Sequence, residues 1–310
     1  MNPINEQLIH APDTHGKALA KSSEKLSQAG IEDSSLEAAI LMAHSLKMDR
    51  VQLYLKIHEM LTAEKADLFN GMLERRLKGE PAAYITGHRE FYGLDFTVNK
   101  NVLIPRPETE ILVEKSLELI GSKSATIADI GTGSGCIAIS LAKTFAARRM
   151  GEAKRNPLAA PDSSNGANIK IYATDISKAA LGVAAMNCEK HAVADIITLL
   201  HGDLLEPLPA PVDLIIANLP YVNLADMPKV NTRGFEPELA LNGGSDGLDQ
   251  IRRLCAQLNE KLKTGGSLLL EIGYDQQKAV TSLLLSLFPS ATIEQFTDGA
   301  GLVRVVSLKI

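Results

Sequence analysis

A regular alternation of short apolar runs with longer helical stretches begins at about residue 106 and limits the possible folds of this chain most strongly. The apolar runs occupy residues 126–129, 169–174, 196–200, 213–217 and 267–272. Apolar runs of this length are typical of strands that are buried on both faces of a sheet. The alternation therefore predicts an α/β domain with a mostly parallel sheet covered by helices on both faces.

The last two apolar runs, residues 291–296 and 302–308, leave no room for a helix between them. Parallel neighbours need a long crossover connection, so we predict that these two strands form an antiparallel pair. A mostly parallel, seven-stranded sheet with this ending resembles the Rossmann-like fold of the class I methyltransferases, which depend on S-adenosylmethionine (SAM).

The chain before this sheet has two other patterns. In residues 1–85 apolar positions recur at helical spacing, which predicts a helical domain with helix ends at Gly30 and Gly79 and a capping box at residues 34–37. Residues 86–105 alternate aromatic and polar types around a glycine, which predicts a β-hairpin connector. Residues 106–310 complete the predicted sheet domain. Within it, the small and polar residues of 148–168 predict a surface loop insertion.

Composition favours an ordinary globular protein and excludes several other classes. The 310 residues carry a formal net charge of -5, which does not favour stable binding to nucleic acid. The three cysteines and seven histidines show no metal-ligand spacing, so no metal site is predicted. No apolar run reaches the ~20 residues of a membrane span, and residues 1–30 lack a signal-peptide pattern. We predict a cytoplasmic protein that does not bind membranes.

A glycine-rich turn follows the first predicted strand of the sheet. It reads Asp129-Ile130-Gly131-Thr132-Gly133-Ser134-Gly135 and precedes a predicted helix. Glycines at such a turn let the backbone bend sharply and let a ligand approach closely. The pattern favours cofactor binding, and another nucleotide-binding turn or a purely structural turn remains an alternative. Residues 131–135 are called the glycine turn below.

Acidic residues follow the next two predicted strands. Asp175 is placed to accept hydrogen bonds from ribose hydroxyls, and a helix cap before Ser177 is its alternative role. Its separation from the glycine turn is about twice the usual ~20 residues, which the predicted insertion at 148–168 explains. Asp203 would lie near the cofactor base, and Leu204 would cover the flat face of an adenine, although an ordinary turn is equally compatible with this pair.

Four residues after the fourth predicted strand suggest the chemistry of the site. They are Asn218-Leu219-Pro220-Tyr221, called the acceptor segment below. In open α/β folds ligands bind at this carboxyl edge of the sheet. The Asn218 side-chain oxygen and the Leu219 carbonyl can accept both hydrogens of an NH2 group, Pro220 restricts the backbone, and Tyr221 can stack on a planar group.

Such a site suits an amide or amino nitrogen as the methyl acceptor. The lone pair of an amide nitrogen is delocalised into its carbonyl, which makes this nitrogen a weak nucleophile. A site that holds both N–H groups would aim the nitrogen at a SAM methyl group. Such positioning can contribute on the order of 7–11 kcal/mol toward lowering the barrier.

Further motifs extend over almost the whole chain. They are Arg76-Leu77-Lys78-Gly79-Glu80-Pro81, Tyr84-Ile85-Thr86-Gly87, Glu90-Phe91, Val102-Leu103-Ile104-Pro105-Arg106-Pro107-Glu108-Thr109-Glu110, Phe235-Glu236-Pro237, Ala240-Leu241 and Gly243-Gly244-Ser245-Asp246-Gly247-Leu248. Together with the glycine turn and the acceptor segment, they make the chain resemble the HemK/PrmC family of protein-(glutamine-N5) methyltransferases.

This resemblance implies a specific reaction and specific roles. The family methylates the glutamine of the Gly-Gly-Gln motif in class 1 peptide chain release factors. The resemblance implies that the helical amino-terminal domain helps to bind the release factor and that the acceptor segment holds the glutamine. It also implies cofactor contacts from Asp129 and the glycine turn, from Asp175, Asp203 and Leu204, and from Asn218. We expect a monomer.

One residue of the acceptor segment departs from the family pattern. The family usually has proline where this chain has Leu219, so one backbone restraint is lost and one N–H group is gained. The acceptor carbonyl is retained. This difference therefore bears on the turnover or the substrate choice of the protein.

Three other functions are compatible with parts of the pattern. An adenine-N6 type of nucleic-acid methyltransferase uses a similar acceptor segment, but it must bind phosphates and expose a base, which the acidic balance does not favour. A dinucleotide-dependent oxidoreductase would leave the acceptor segment without a role. A catalytically silent protein that binds release factors remains open on sequence alone.

Overall fold

The computed structural model describes residues 9, 11, 13–155, 168–230 and 234–310. The chain divides into two compact units, Met1–His88 and Arg89–Ile310. Within the described residues, no helix combines the length and the apolar character that crossing a bilayer requires.

The described residues of the first unit form five helices around an apolar core. They are α1 (His15–Gln28), α2 (Ser34–Leu46), α3 (Arg50–Leu55), α4 (Ala63–Leu77) and α5 (Ala82–Thr86). Side chains of the first four helices, among them Leu26, Leu41, Leu53 and Phe69, are fully buried together in this core. The predicted helical amino-terminal region is therefore confirmed.

The predicted capping box at residues 34–37 is wrong. Helix α2 begins at Ser34 after Asp33, whose side chain makes no capping hydrogen bond. The Glu37 carboxylate instead pairs with the Arg76 guanidinium of α4, so a tertiary ion pair replaces the local contact. A capping box does occur at α3, where Asp49 and Gln52 exchange hydrogen bonds of 2.7 and 3.0 Å.

A two-stranded sheet follows, made of β1 (His88–Phe91) and β2 (Leu94–Thr97). Tyr92 and Gly93 connect the two strands, and both have positive φ angles of 52° and 71°. Two-residue connections with positive φ at both positions match the twist of a β-hairpin.

The second unit is built on a seven-stranded sheet. Its strands are β3 (Ala125–Ile130), β4 (Ile169–Asp175), β5 (Ile197–His201), β6 (Val212–Ala217), β7 (Leu262–Glu271), β8 (Thr292–Thr297) and β9 (Val303–Lys309). Their spatial order is β5-β4-β3-β6-β7-β9-β8. Strands β3 to β7 pair in parallel, and β9 pairs antiparallel with both β7 and β8. The predicted sheet and its antiparallel ending are confirmed.

Helices and turns connect these strands. They are a 3-10 turn at Pro107–Thr109, α6 (Glu110–Ile120), α7 (Cys136–Arg155), α8 (Lys178–Lys190), α9 (Met227–Val230), a 3-10 turn at Glu238–Ala240, α10 (Asp249–Lys261) and α11 (Gln277–Leu287). Neighbouring residues of a strand point to opposite faces of a sheet, and both Ile127 and Ala128 of β3 are fully buried. Both faces are therefore covered, as expected for a parallel sheet.

The predicted loop insertion at 148–168 is partly wrong. Helix α7 continues to Arg155, so residues 148–155 are helical. This stretch consists mainly of alanine, arginine, methionine, glutamate and lysine, which are favourable helix formers, and they outweigh a single glycine. The helix ends before Pro157, as proline disfavours helical backbone in the residue that precedes it. Residues 156–167 of the prediction lie outside the described residues.

Candidate functional site

The register of the sheet gathers the predicted site residues at one edge. Ile130 at the end of β3 pairs with Ala217 of β6 and with Thr174 of β4. Ala217 also pairs with Leu270 of β7. The residues that follow these strands therefore leave the sheet side by side. The strand order reverses direction between β3 and β6, where open α/β sheets form a ligand-binding crevice.

The glycine turn is held by backbone hydrogen bonds. The N–H groups of Gly131 and Thr132 both donate to the Thr174 carbonyl over 2.9 Å, and the Gly135 N–H donates to the Thr132 carbonyl over 2.8 Å. Gly131, Gly133 and Gly135 have φ angles of 71°, 56° and 80°, which L side chains rarely adopt. A side chain at any of the three would strain the turn.

Asp129 lies beneath this turn and is fully buried. Its Oδ2 accepts hydrogen bonds from the Thr132 hydroxyl at 2.6 Å and from the Ala138 N–H at 3.3 Å. Its Oδ1 has no hydrogen-bond partner among the described residues. Burial raises the pKa of this carboxyl to about 6, against the effect of its two donors. An unpartnered buried carboxylate oxygen provides an acceptor for an ammonium or N–H group of a ligand.

Asp175 closes the other side of the turn. Its Oδ2 accepts from the Gly133 N–H at 2.9 Å and its Oδ1 from the Ser177 N–H at 2.8 Å. Burial is the main cause that raises its pKa, while these hydrogen bonds lower it. Asp175 also fills part of its alternative role, because its Oδ1 accepts the Ser177 N–H just before α8, while Ser177 caps that helix with its own hydroxyl. Each carboxylate oxygen keeps acceptor capacity for a second donor.

Asp203 and Leu204 line one cavity together with Asp175. The Asp203 carboxylate forms an ion pair with the Arg253 guanidinium of α10. Leu204 is buried and has a positive φ of 48°, and its carbonyl accepts a hydrogen bond from the Thr174 hydroxyl at 3.0 Å. An apolar wall beside a paired carboxylate is compatible with a flat heterocycle that carries polar edges.

The acceptor segment presents two free oxygens. The Asn218 amide nitrogen Nδ2 donates to the Thr109 hydroxyl oxygen at 3.1 Å. Neither the Asn218 Oδ1 nor the Leu219 carbonyl accepts a hydrogen bond from the part of the chain that the structure describes. The Leu219 side chain is buried and packs against the glycine turn, with its Cδ2 only 3.3 Å from where a Cβ of residue 131 would lie. Asn218 and Leu219 thus lie next to the glycine turn and line the same cavity as its residues.

Tyr221 is directed into the protein. Its hydroxyl oxygen lies 3.4 Å from Oε1 of Glu271, and its backbone carbonyl accepts from the Gln276 side chain at 2.9 Å. Burial first, and then the neighbouring charge of Glu271, raise the pKa of this phenol well above its usual value.

A single cavity of the second unit brings most of the predicted residues together. It is lined by Gly131, Thr132, Gly133, Ser134, Asp175, Asp203, Leu204, Asn218, Leu219 and Pro220. Three predicted residues, Asp129, Gly135 and Tyr221, are not in this lining. Asp129 and Gly135 support the turn, whereas the Tyr221 hydroxyl lies beside Glu271 at the end of β7, so stacking of Tyr221 on the substrate stays a prediction.

Sequence reasoning assigned no role to several other residues of this cavity. Arg106 and Thr109 line it, and Arg106 is fixed by an ion pair of 2.6 Å with Glu236. The sequence did contain a signal for Arg106 and Thr109, namely the motif at residues 102–110. This motif supported the family resemblance, but it did not suggest a physical role for either residue. Asn187 of α8 is buried and donates to the Ser134 carbonyl at 2.9 Å, and no sequence signal distinguished it.

Metal ligands are not assembled here. Among the residues that the structure describes, no three His, Cys, Asp or Glu side chains are grouped so that they could hold a metal ion.

Comparison with known proteins identifies relatives along most of the chain. Residues 17–87 match the PrmC N-terminal domain, and residues 122–233 match the RMKL-like methyltransferase domain. The release factor glutamine methyltransferase of Moorella thermoacetica is 40% identical over 92% of this chain and 94% of its own length. That of Geobacter sulfurreducens is 37% identical over 92% of this chain and 93% of its own length.

One solved structure adds support for the fold alone. The catalytic domain of hMettl16, in complex with MAT2A 3′UTR hairpin 6, is 20% identical and covers 73% of this chain and 79% of its own, with a TM-score of 0.52.

The residues present fit SAM as the cofactor. The unpartnered Asp129 Oδ1 lies beneath the glycine turn, and Asp175 lines the cavity with spare acceptor capacity for hydroxyl groups. The chain is therefore a SAM-dependent methyltransferase with a class I fold. Its similarity to the two glutamine methyltransferases far exceeds what the fold alone would produce, and it extends over both units. The chain belongs to the family of release factor glutamine methyltransferases.

Proposed function

We propose that this protein transfers the methyl group of SAM to the N5 amide nitrogen of the glutamine in the Gly-Gly-Gln motif of class 1 release factors. One observation carries the proposal: Asn218 and Leu219 line the same cavity as the glycine turn, and neither the Asn218 Oδ1 nor the Leu219 carbonyl accepts a hydrogen bond from the described residues. Two acceptors match the two hydrogens of a primary amide. A donor-lined pocket would instead suit an oxyanion or a phosphate.

The chain's own residues position the reacting nitrogen. SAM supplies a methyl group on a sulfonium sulfur, which is an efficient leaving group. Asn218 and Leu219 hold the N–H groups and thereby fix where the nitrogen lone pair points. Partial withdrawal of these hydrogens toward the two oxygens increases the electron density on nitrogen. After transfer the nitrogen carries an extra proton and is strongly acidic. The acceptor oxygen that holds this N–H stabilises the departing proton, which passes on to solvent.

Water must be kept from the reacting atoms, and the apolar side chains near the acceptors serve this purpose. Leu219 and Leu204 are both buried at the cavity wall. Hydrogen bonds to the two acceptor oxygens are stronger in such surroundings than they are in water. This placement compensates for the weak nucleophilicity of an amide nitrogen.

The larger organisation follows the same proposal. Residues 1–85 act as a domain that helps to recognise the release factor, residues 86–105 connect it, and residues 106–310 carry out the transfer. The protein works as a monomer in the cytoplasm and forms no stable complex with nucleic acid. The net charge of -5 supports this last point, because phosphate binding needs a basic surface.

One experiment separates this function from an adenine-N6 type methyltransferase. Purified protein is incubated with labelled SAM and with a release factor, its Gln-to-Ala variant at the Gly-Gly-Gln motif, or DNA. We expect label in the intact release factor alone. Label in DNA would favour the rival function, and equal label in the Gln-to-Ala variant would contradict glutamine as the acceptor.

A further inference from the structure

Glu271 is a buried carboxyl group to which neither the sequence nor the family resemblance gave a role. It ends β7 and is 1% exposed. Because Leu270 pairs with Ala217 across β6 and β7, Glu271 lies beside the start of the acceptor segment. Its Oε2 has no hydrogen-bond partner among the described residues. A buried, incompletely paired carboxyl costs stability, so its presence calls for a functional reason.

Two hydroxyl groups act on this carboxyl. The Tyr221 hydroxyl lies 3.4 Å from Oε1. Side-chain hydrogen bonding by the Thr109 hydroxyl, which is 2% exposed, lowers the pKa of the same carboxyl. Thr109 also accepts the hydrogen bond from Asn218 Nδ2 at 3.1 Å. A connected path therefore runs from Asn218 through Thr109 to Glu271 and on to Tyr221.

We propose that Thr109 and Glu271 are positioning residues that fix the Asn218 amide with its oxygen available to the substrate. The inference rests on the proposed function, because it concerns how the acceptor for the glutamine NH2 group is held. Neither residue touches the reacting atoms. Both act through Asn218 and Tyr221.

The direction of the hydrogen bonds determines the orientation of the amide. A threonine hydroxyl has one hydrogen to donate and lone pairs to accept. When this hydrogen is directed to the Glu271 carboxylate, only a donor can occupy the other side of Thr109. The NH2 end of Asn218 must then face Thr109, which leaves Oδ1 free to accept. The reversed amide would offer Thr109 an oxygen to which it has no hydrogen left to donate.

The charge of Glu271 controls this arrangement. The pKa of Glu271 is raised to about 7, mainly by burial and also by the charge of Glu108, although Thr109, Tyr221 and Arg304 of β9 act to lower it. Cys136 of α7 also interacts electrostatically with it. A deprotonated Glu271 can only accept hydrogen bonds, so it fixes the direction in which the Thr109 and Tyr221 hydroxyl groups donate. As a protonated acid it can donate to Thr109, which would permit the reversed amide. Transfer should therefore increase as Glu271 ionises with rising pH.

The test compares two substitutions of Thr109. Thr109→Val keeps the shape and removes the hydroxyl, whereas Thr109→Ser keeps the hydroxyl. We expect Thr109→Val to lower kcat for a release factor by roughly tenfold to a hundredfold, because small misplacements of a reacting group have effects of this size. We expect Thr109→Ser to recover most of that loss. The Kd for SAM should change by less than threefold in both variants.

A matched control removes a threonine hydroxyl elsewhere. Thr144 of α7 donates to the Ser140 carbonyl at 2.8 Å and does not line the cavity, so Thr144→Val should keep the wild-type kcat. A wild-type kcat in Thr109→Val would overturn the proposal. An equal loss of SAM affinity and thermal stability in Thr109→Val would also overturn it, since the role of Thr109 would then be structural.

Glu271→Gln gives an independent measurement even if Thr109→Val does not fold. Single-turnover rates at saturating SAM are measured between pH 6 and 9. We expect the wild-type rate to rise with pH through a transition near the pKa of Glu271, and we expect the variant to be slower and to lack this transition. An unchanged pH profile in Glu271→Gln would contradict the proposal. Wild-type protein that labels no release factor would instead contradict the proposed function itself.

Discussion

The cofactor side and the acceptor side of the cavity are built in different ways. On the cofactor side, Asp129 and the glycine turn belong to one continuous stretch, held by hydrogen bonds between residues 3 to 9 positions apart and by the next strand. On the acceptor side, Asn218 depends on Thr109, 109 positions away in the sequence. A local turn can be recognised from its sequence. An orientation fixed by distant side chains cannot, because it requires the assembled sheet.

This contrast predicts that mutations on the two sides have separable effects. Changes on the acceptor side should lower the rate of transfer with little effect on SAM binding. Changes on the cofactor side should alter SAM binding or the stability of the free protein.

The largest expected effect is on the acceptor side. Asn218→Ala removes one of the two acceptor oxygens, and we expect kcat to fall by about 10²–10³-fold, as when one polar group that stabilises a transition state is removed. The Kd for SAM, measured by calorimetry, should stay within a few-fold of wild type. Asn168→Ala, at the opposite end of β4 from Asp175 and exposed, is the control. A large loss of SAM affinity in Asn218→Ala would remove the distinction between the two sides.

On the cofactor side, Asp129→Asn should stabilise the protein in the absence of SAM. The pKa of Asp129 is raised to about 6 from 3.8, so the folded state binds a proton more tightly than the unfolded state. The wild-type protein therefore loses stability from this group as pH rises from about 4 to about 6, by about 2–3 kcal/mol.

Because asparagine does not ionise, the Asp129→Asn variant does not lose stability in this way as the pH rises. We expect its melting temperature without SAM to exceed that of wild type by several degrees at pH 7.5, and by much less at pH 4.5. The measurement is thermal unfolding at both pH values. A difference that is the same at the two pH values would show that the charge of Asp129 is not the cause.

A smaller effect is expected at Asp175. Asp175→Ala removes the acceptor of the Gly133 N–H, which is also the acceptor that we propose for the ribose hydroxyls. Hydrogen bonds to charged groups contribute about 1.5–3 kcal/mol, and part of this is replaced by water, so we expect the Kd for SAM to rise roughly tenfold. At saturating SAM, kcat should change little. Asp195→Ala, which alters an exposed aspartate after α8, should leave the Kd unchanged. A fall in kcat without a change in Kd would contradict the assignment of Asp175 to the cofactor side.

The smallest effect is expected where the two sides meet, at Leu219. Its N–H makes no hydrogen bond to the described residues, so Leu219→Pro loses no such bond and keeps the acceptor carbonyl. We expect kcat within about threefold of wild type. Loss of the packing of the buried Leu219 side chain should cost about 1–2 kcal/mol of stability. The two quantities are measured by steady-state kinetics and thermal unfolding. A hundredfold change in kcat would show that the leucine itself controls turnover.

The sequence predicted the sheet because its signal is local. Runs of apolar residues between helical stretches predicted all seven strands to within a few residues, and the short connection between β8 and β9 predicted their antiparallel pairing. Two local predictions were wrong, for different reasons. At Glu37 a tertiary ion pair replaced a cap, and at residues 148–155 the helix-forming residue types outweighed the small residues that had suggested a loop.

By itself, the sequence determined the fold class and the glycine turn, and it predicted the two acceptor oxygens, since each depends on residues adjacent in the chain. Only the tertiary structure decided that Thr109 accepts a hydrogen bond from Asn218, that Tyr221 is directed toward Glu271 of β7, and that Arg253 pairs with Asp203. These contacts join segments that are 50 or more residues apart. The pairing of β3, β6 and β7 places those segments side by side, and no local pattern encodes which side chains then meet.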